Sequence, residues 1–352
     1  MPIADSVRRL EPYVPGEQPK ARNVVKLNTN ENPYLPSPKC AEALRGFDLE
    51  RLRRYPDPVF MDLRKAIGRL CACDVANVFV GNGSDEILSL AARAFVEDDG
   101  VIGSLDPSYS LYKTLAAIRD VSWAGCGECT ANDAALACSL FLWTNPNAPT
   151  GTFAEPETIA AFAKAFKGVV IVDEAYADFA RDNCMRLATA PDNRNLIVMR
   201  TFSKSYSLAG LRVGYCVGPK DLIEALYKVK DSYNVDALAQ TVALAALKDR
   251  RWMLANAAKI KKTRRAFTKA LESRGWDVLP SEANFVFASP PGCAAGGAAA
   301  QRKTAALFAA LKAKQVFVRY FKGPKTGHRL RITIGTEENM TRLLEVVDAS
   351  LV

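Results

Sequence analysis

Residues 169–176 read VVIVDEAY: four β-branched side chains in a row, then Asp173, Glu174 and Tyr176. An apolar run with no alternation predicts a strand covered on both faces, as in a parallel sheet flanked by helices. Sheets of that kind bind ligands in the crevice beyond the carboxyl ends of their strands, so the acidic pair is predicted to face one. Three other segments repeat the pattern of an apolar run stopped by a polar turn. Residues 196–199 (LIVM) lead into Arg200-Thr201-Phe202-Ser203-Lys204-Ser205, residues 141–151 read FLWTNPNAPTG, and residues 78–86 read VFVGNGSDE. Strands of this type alternating with helical segments constrain the chain to an open α/β architecture.

The turns carry the chemistry. A lysine at the end of a strand, here Lys204, is an amine nucleophile when its surroundings lower its pKa from about 10.4. Schiff-base chemistry with pyridoxal phosphate uses lysine in this way. An isolated Ser-Lys-Ser is more often a solvated loop; the carboxylate at 173 shifts the balance. A pyridoxal phosphate site needs an acid group paired with the pyridinium nitrogen, so that the ring stays an electron sink. Thr201, Ser203 and Arg212 suit a phosphate, the arginine through its planar fork of donors. Gly83, Ser84 and Asp85 open a predicted helix whose first N–H groups offer a second phosphate seat.

The order of these turns resembles that of the fold-type I, aspartate-aminotransferase-like enzymes. The segments KLNTNENPYLPSP (26–38), RRYPDP (53–58), GNGSDE (81–86), DPSYSLY (106–112), NPNAPTG (145–151), VDEAY (172–176), TFSKSYSLAGLRVGY (201–215) and RLRITIGT (329–336) resemble the histidinol-phosphate aminotransferase family over almost the whole chain. The resemblance implies an α/β, fold-type I pyridoxal-phosphate-dependent transferase. Its mostly parallel sheet would carry helices on both faces, beside a smaller α+β domain. It implies catalytic roles for Lys204, Asp173 and Tyr176. Gly83, Ser84, Asp85, Thr201, Ser203 and Arg212 would hold the cofactor with them, and Tyr109 would lie flat against the pyridine ring. Tyr55 would reach the cofactor phosphate of the neighbouring subunit, which makes the active site a property of a homodimer. Tyr13 and Arg319 would meet a substrate phosphate, Arg331 the substrate α-carboxylate, and Asn30 would face the substrate.

The chain departs from the family pattern at one place. Many relatives carry an asparagine immediately before the proline of N-N-P-T-G, bonded to the cofactor's ring oxygen; here that residue is Ala148. Either Asn147 takes the role through a shifted turn, which is the reading adopted for the site, or Tyr176 alone holds the ring oxygen. One such hydrogen bond is worth only about 1 kcal/mol net, so its loss need not abolish binding.

Composition narrows the remaining classes. The chain has 352 residues, nine cysteines and a single histidine, with a formal net charge of +9. Cys126 and Cys129 have C-x-x-C spacing, but no second such pair exists and only His328 accompanies them. Four ligands for a structural zinc are therefore lacking, so the expectation is reduced thiols and no metal. The lone histidine also argues against a Ser-His-Asp triad. No block of five or more basic residues marks a nucleic-acid surface, and the positive balance suits anionic small molecules instead. No apolar run reaches membrane-span length and residues 1–13 lack the apolar core of a secretory signal, so a cytoplasmic protein is expected.

Three parts are expected: a proline-rich N-terminal arm over 1–40, a large cofactor-binding domain over 41–250, and a small C-terminal domain over 251–352 that packs with the arm. Periodicity predicts helices near 60–70, 86–95, 157–166, 221–233, 237–247, 250–274, 307–311 and 339–347. Strands are expected at 101–105, 140–144, 283–289 and 316–320, and PPGCAAGGAAA (290–300) reads as loop. The function implied is transamination of histidinol phosphate with 2-oxoglutarate, giving imidazole-acetol phosphate and glutamate in histidine biosynthesis. Aromatic amino acid aminotransferase and threonine-phosphate decarboxylase are the alternatives on the same scaffold.

Overall fold

The computed structural model describes residues 3, 5–10, 16–19, 23–127 and 137–350. Thirteen strands are present among them. They are β1 (Val25–Lys26), β2 (Val78–Gly81), β3 (Val101–Leu105), β4 (Ser122–Cys126), β5 (Leu140–Thr144), β6 (Val169–Asp173), β7 (Leu196–Thr201) and β8 (Gly214–Val217). Then follow β9 (Asp277–Val278), β10 (Phe285–Ser289), β11 (Val316–Phe317), β12 (Arg319–Tyr320) and β13 (Leu330–Thr333). Seven strands form one sheet in the order β2-β8-β7-β6-β5-β3-β4. Only β8 runs against the rest, pairing antiparallel with β2 and β7.

The unalternated apolar runs have the predicted cause. In β6, Val170 and Val172 enter one buried cluster while Ile171 enters another. In β7, Leu196 and Val198 join the first, and Ile197 and Met199 the second. Each strand thus buries both faces, and both must be apolar. Helices Met61–Cys71, Pro156–Ala165 and Ala237–Lys248 contribute to the first cluster. Helices Ser84–Ala94, Leu111–Arg119 and Lys220–Val229 cover the opposite face.

A second sheet, β12-β13-β10-β9, is antiparallel throughout. Helices Arg250–Glu272, Gly297–Ala313 and Glu337–Ser350 belong to this part of the chain. Helices Ala237–Lys248 and Arg250–Glu272 abut at Asp249. Strand β1 pairs in parallel with β11, which pins the N-terminal arm to the C-terminal part. Further on, the arm crosses to the large sheet: Asn32 Nδ2 donates to the carbonyls of Lys204 and Ser205, each at 3.1 Å.

Several segments differ from expectation, among them the strand expected over 316–320, which divides into β11 and β12 in different sheets. Strand β7 continues through Arg200 and Thr201, because β8 supplies pairing partners at Tyr215 and Gly214. The helix after β8 stops at Val229 rather than near 233; Lys230 Nζ there ties up the carbonyls of Asp231 and Ser232, and Tyr233 stacks on Tyr55. Gly297–Ala300, expected as loop, is instead the first turn of a helix that runs to Ala313. Its run of alanines has the highest helix propensity of any residue and outweighs the glycines before it.

Gly214 sits where β8 passes the turn after β2. A methyl group there would lie 2.7 Å from the Ser84 nitrogen and 2.9 Å from the Gly83 carbonyl carbon, both backbone atoms. Gly214→Ala is expected to cost about 2 kcal/mol, the range for forcing extra volume into packed structure. Urea unfolding checks this; an unchanged midpoint would mean that the Gly83–Ser84 turn shifts without resistance.

Candidate active site

The carboxyl ends of β2, β5, β6 and β7 open into a cavity of about 300 Å³. Its lining includes twelve of the sixteen site residues inferred from sequence: Asn30, Ser84, Asp85, Tyr109, Asp173, Tyr176, Thr201, Ser203, Lys204, Arg212, Arg319 and Arg331. Tyr13 lies outside the described residues. Gly83, Asn147 and Tyr55 do not line the cavity.

At one end is a cup of donors. Helix Ser84–Ala94 starts at Gly83, which has φ +83° and no side chain to cap the first N–H groups. A Cβ on Gly83 would lie 2.6 Å from the Arg212 guanidinium, so only glycine lets that arginine lie against the helix start. Arg212 itself is held in the left-handed region, φ +56°. Its guanidinium donates to Ser203 Oγ at 3.5 Å and lies 3.6 Å from Asp85. Thr201 Oγ1 donates to Ser203 Oγ at 3.0 Å. An uncapped helix start, two hydroxyls and a guanidinium make a seat for a phosphate.

Asp173 ends β6 and is 4% exposed. Its Oδ2 accepts from the Tyr112 hydroxyl at 2.9 Å and its Oδ1 from the Ala175 N–H at 3.1 Å. Burial pushes its carboxyl up to about 6, and these two donors oppose that rise. Glu174, predicted with Asp173 to face the crevice, is absent from its lining. Successive strand residues point to opposite faces, and Glu174 is instead wholly buried in a pair with Arg200, at 2.8 Å. Asp178 accepts from Ser205 Oγ and lies 3.6 Å from the same guanidinium. A buried ion pair therefore braces the turn that carries Lys204. Lys204 Nζ donates to the Thr29 carbonyl at 3.3 Å and lies over the Tyr176 ring.

One expectation about side-chain direction is corrected. Asn147, expected at a cofactor ring oxygen, turns its amide away from the cavity. Its Oδ1 accepts from Ser108 Oγ at 2.8 Å, and its Nδ2 donates to the Pro107 carbonyl at 3.0 Å and to Thr150 Oγ1 at 2.9 Å. Ala148 and Pro149 face the cavity in its place. Asn30, expected to face a substrate, lines the cavity but is 1% exposed, its polar groups bonded within the protein. Its Nδ2 donates to Tyr176 Oη at 2.9 Å, its Oδ1 accepts from Thr333 Oγ1 at 3.0 Å, and its carbonyl accepts from Asn284 at 3.0 Å. Tyr55 is 79% exposed and stacks on Tyr233, ring centroids 4.4 Å apart.

At the other end, Arg319 on β12 and Arg331 on β13 occupy directly opposed positions. Like charges across one rung destabilise a sheet, so a pair placed there in a cavity argues for an anionic ligand. Both guanidinium groups lie over the ring of Phe321, at 5.4 and 5.2 Å from its centroid, within cation–π range. Arg331 also donates to the Asn28 carbonyl at 2.9 Å. The sequence reading assigned no role to Phe321, Tyr112 or Thr144. Tyr112 lies on the buried face of its helix with Leu115 and Ala116, spacing that reads as core packing. Cys126 is disulfide-bonded, against the expectation of reduced thiols; Cys129 lies outside the described residues. No group of three potential metal-ligating side chains occurs among the described residues.

Residues 22–347 match the family model for aminotransferase class I and II. The chain is similar to histidinol-phosphate aminotransferase 1 of Bradyrhizobium diazoefficiens, 44% identical over 97% of this chain and 97% of that one. It is also similar to histidinol-phosphate aminotransferase of Gluconacetobacter diazotrophicus, 42% identical over 98% and 96% of the two chains. Among solved structures it resembles histidinol-phosphate aminotransferase from Sinorhizobium meliloti in complex with pyridoxal-5'-phosphate, with TM-score 0.87 and 24% identity over 99% and 98% of the chains. At that identity the structural likeness speaks for the fold.

The raised carboxyl of Asp173 has a consequence for stability. The folded protein holds this proton more tightly than the unfolded chain does. The group therefore supports the fold below about pH 4, and that support is lost as pH rises through about 6. Two pKa units correspond to about 3 kcal/mol. Asp173→Asn, without added ligand, is expected to melt a few degrees above the wild type at pH 7.5 and level with it at pH 4. Thermal melts over that range test the point; a difference independent of pH would contradict it.

Proposed function

This chain belongs to the class I and II aminotransferases, and from that premise we propose that it transfers the amino group of histidinol phosphate to 2-oxoglutarate. The products are imidazole-acetol phosphate and glutamate, and pyridoxal 5'-phosphate is the cofactor. The observation that carries this reading is the opposed pair Arg319 and Arg331 in the same cavity as Lys204 and Asp173. A site with two fixed cations at one end suits a phosphate in one half-reaction and a dicarboxylate in the other.

The residues present fit the cofactor. Its phosphate would take the cup formed by the start of helix Ser84–Ala94, Thr201, Ser203 and Arg212, with Gly83 bare so that Arg212 can approach. Asp173 would pair with the pyridine nitrogen and Tyr109 would lie along the ring. When bound, the cofactor supplies an electron sink for the charge left at the substrate's Cα.

The protein's own groups do the rest. Lys204 Nζ would hold the cofactor and, when its amine is free, would take and return the proton at the substrate's Cα. Tyr176 Oη accepts from Asn30, which leaves its own proton to donate to the ring oxygen; with the Asn147 amide committed elsewhere, Tyr176 serves that oxygen alone. Arg319 holds the phosphate of one substrate and Arg331 the α-carboxylate of the other. Among the described residues no helix is long and apolar enough to cross a membrane, and a biosynthetic role carries with it a cytoplasmic location.

We further propose a homodimer with shared sites. Leu35, Leu49, Leu52, Tyr55 and Val59 are all exposed. Large apolar side chains concentrated in one stretch mark an interaction surface. Tyr55, outside its own cavity, would cross to the partner's cofactor.

Purified protein loaded with pyridoxal phosphate is expected to turn over histidinol phosphate and 2-oxoglutarate faster than any aromatic amino acid. Lys204→Ala should lower turnover by about ten-thousand-fold and remove the visible absorbance of the bound cofactor. Phenylpyruvate outrunning imidazole-acetol phosphate as acceptor, or carbon dioxide released from threonine phosphate, would replace this substrate assignment with another. Mixing inactive Lys204→Ala and Tyr55→Ala chains under exchange should restore about a quarter of wild-type activity, through one intact site in each hybrid dimer. No recovery despite subunit exchange would confine Tyr55 to its own subunit.

A further inference from the structure

We infer that Tyr112, outside the cavity, is a positioning residue for the reaction, its hydroxyl holding the Asp173 carboxylate ionised and aimed at the pyridine nitrogen. This rests on the function proposed above. Tyr112 lies in helix Leu111–Arg119 and is 0% exposed. Its Oη reaches Asp173 Oδ2 at 2.9 Å and also contacts Thr144 Oγ1.

Counting protons fixes the direction of these bonds. A phenol has one proton, and Asp173 as a carboxylate can only accept. The Tyr112 proton is therefore spent on Asp173, and Thr144 must donate its own to Tyr112. Ser108 also lies near Thr144, at 3.3 Å, but its proton goes to Asn147 Oδ1, an oxygen that only accepts. No proton remains for the Ser108–Thr144 contact, so the row of polar groups divides there. Thr144 and Tyr112 form a separate relay with both protons pointing toward the carboxylate.

Such a relay favours the charged form of the acid it ends on, against the cost of burial. A proton on Oδ2 would displace the Tyr112 bond, and a proton on Oδ1 would leave Tyr112 bonded to a weaker, neutral acceptor. The Tyr112 ring acts on the same site from a second side: it meets Tyr109 edge-on, centroids 5.6 Å apart at 81°. The residue thus steadies both groups proposed to contact the pyridine ring while touching neither cofactor nor substrate.

The test is a double-mutant cycle on cofactor affinity, read by titrating cofactor-stripped protein with pyridoxal phosphate and following its absorbance. Tyr112→Phe keeps the ring and removes the hydroxyl. It is expected to raise the dissociation constant about tenfold, and to lower kcat without raising KM for histidinol phosphate. In an Asp173→Asn background the same change should add less than about twofold, because Tyr112 acts through the carboxylate. A merely structural tyrosine would give the same loss in both backgrounds, and that result overturns the inference. Should Tyr112→Phe not fold, Thr144→Val removes only the donor to Tyr112 and is expected to raise the constant about threefold, again only when Asp173 is present. Equal losses in both backgrounds there are equally fatal. A wild-type protein that takes up no pyridoxal phosphate overturns the functional reading and this inference together. Tight wild-type binding with Tyr112→Phe unchanged overturns the inference alone.

Discussion

An acid group at the end of a doubly buried strand is the constraint from which the rest of the site follows. β6 needs apolar side chains on both faces up to Val172, and then must present a carboxylate in the same dry surroundings. Burying such a group without partners costs far more than a folded protein can absorb. Asp173 is tolerated because a backbone N–H and a buried phenol both donate to it. Glu174 meets the same difficulty on the other face and is balanced by Arg200. The acidic dipeptide thus divides by strand alternation into a group that faces the cavity and a group that braces the lysine turn.

The opposite end of the cavity is built by the reverse logic. Arg319 and Arg331 repel one another across neighbouring strands, and the sheet tolerates them because other groups share the load. Phe321 offers its ring to both, and the Asn28 carbonyl accepts from Arg331. Asn28 belongs to the N-terminal arm, whose Asn32 also holds the carbonyls of Lys204 and Ser205. One extended segment therefore ties Arg331 to the lysine turn. An arm that is poor in regular structure is suited to this task, since its backbone groups are not already committed to a helix or a ladder.

The sequence made the large sheet legible because its signal is local. VVIV and LIVM are apolar at every position, and only a strand buried on both sides asks for that. The turn residues were legible because their chemistry is: Lys204, Asp173 and Arg212 fall at the ends of recognisable strands, and all three line the cavity. What escaped was direction. Nothing in NPNAPTG says that the Asn147 amide turns back onto Pro107 and Thr150, or that Asn30 spends itself on Tyr176 and Thr333. Those outcomes depend on contacts between residues up to about three hundred positions apart, as Asn30 and Thr333 are. Tyr112 was hidden for a different reason. A buried aromatic on the apolar side of a helix looks the same whether its hydroxyl is idle or bonded to the one acid that matters.

The alanine at 148 shows how such a site tolerates the loss of a polar group. An amide at that position would add a donor to a cavity wall now made of Ala148 and Pro149. Its absence leaves no orphan, because Ser108, Pro107 and Thr150 satisfy the neighbouring Asn147. On the proposed function the demand falls on Tyr176, whose hydroxyl is oriented by a donor that is itself locked at both ends. A hydroxyl that accepts from a fixed amide has its proton directed outward before any ligand arrives, so less ordering remains to be done on binding. One preorganised donor can in this way stand in for two that are less constrained, and the wall at 148 is relieved of everything except shape.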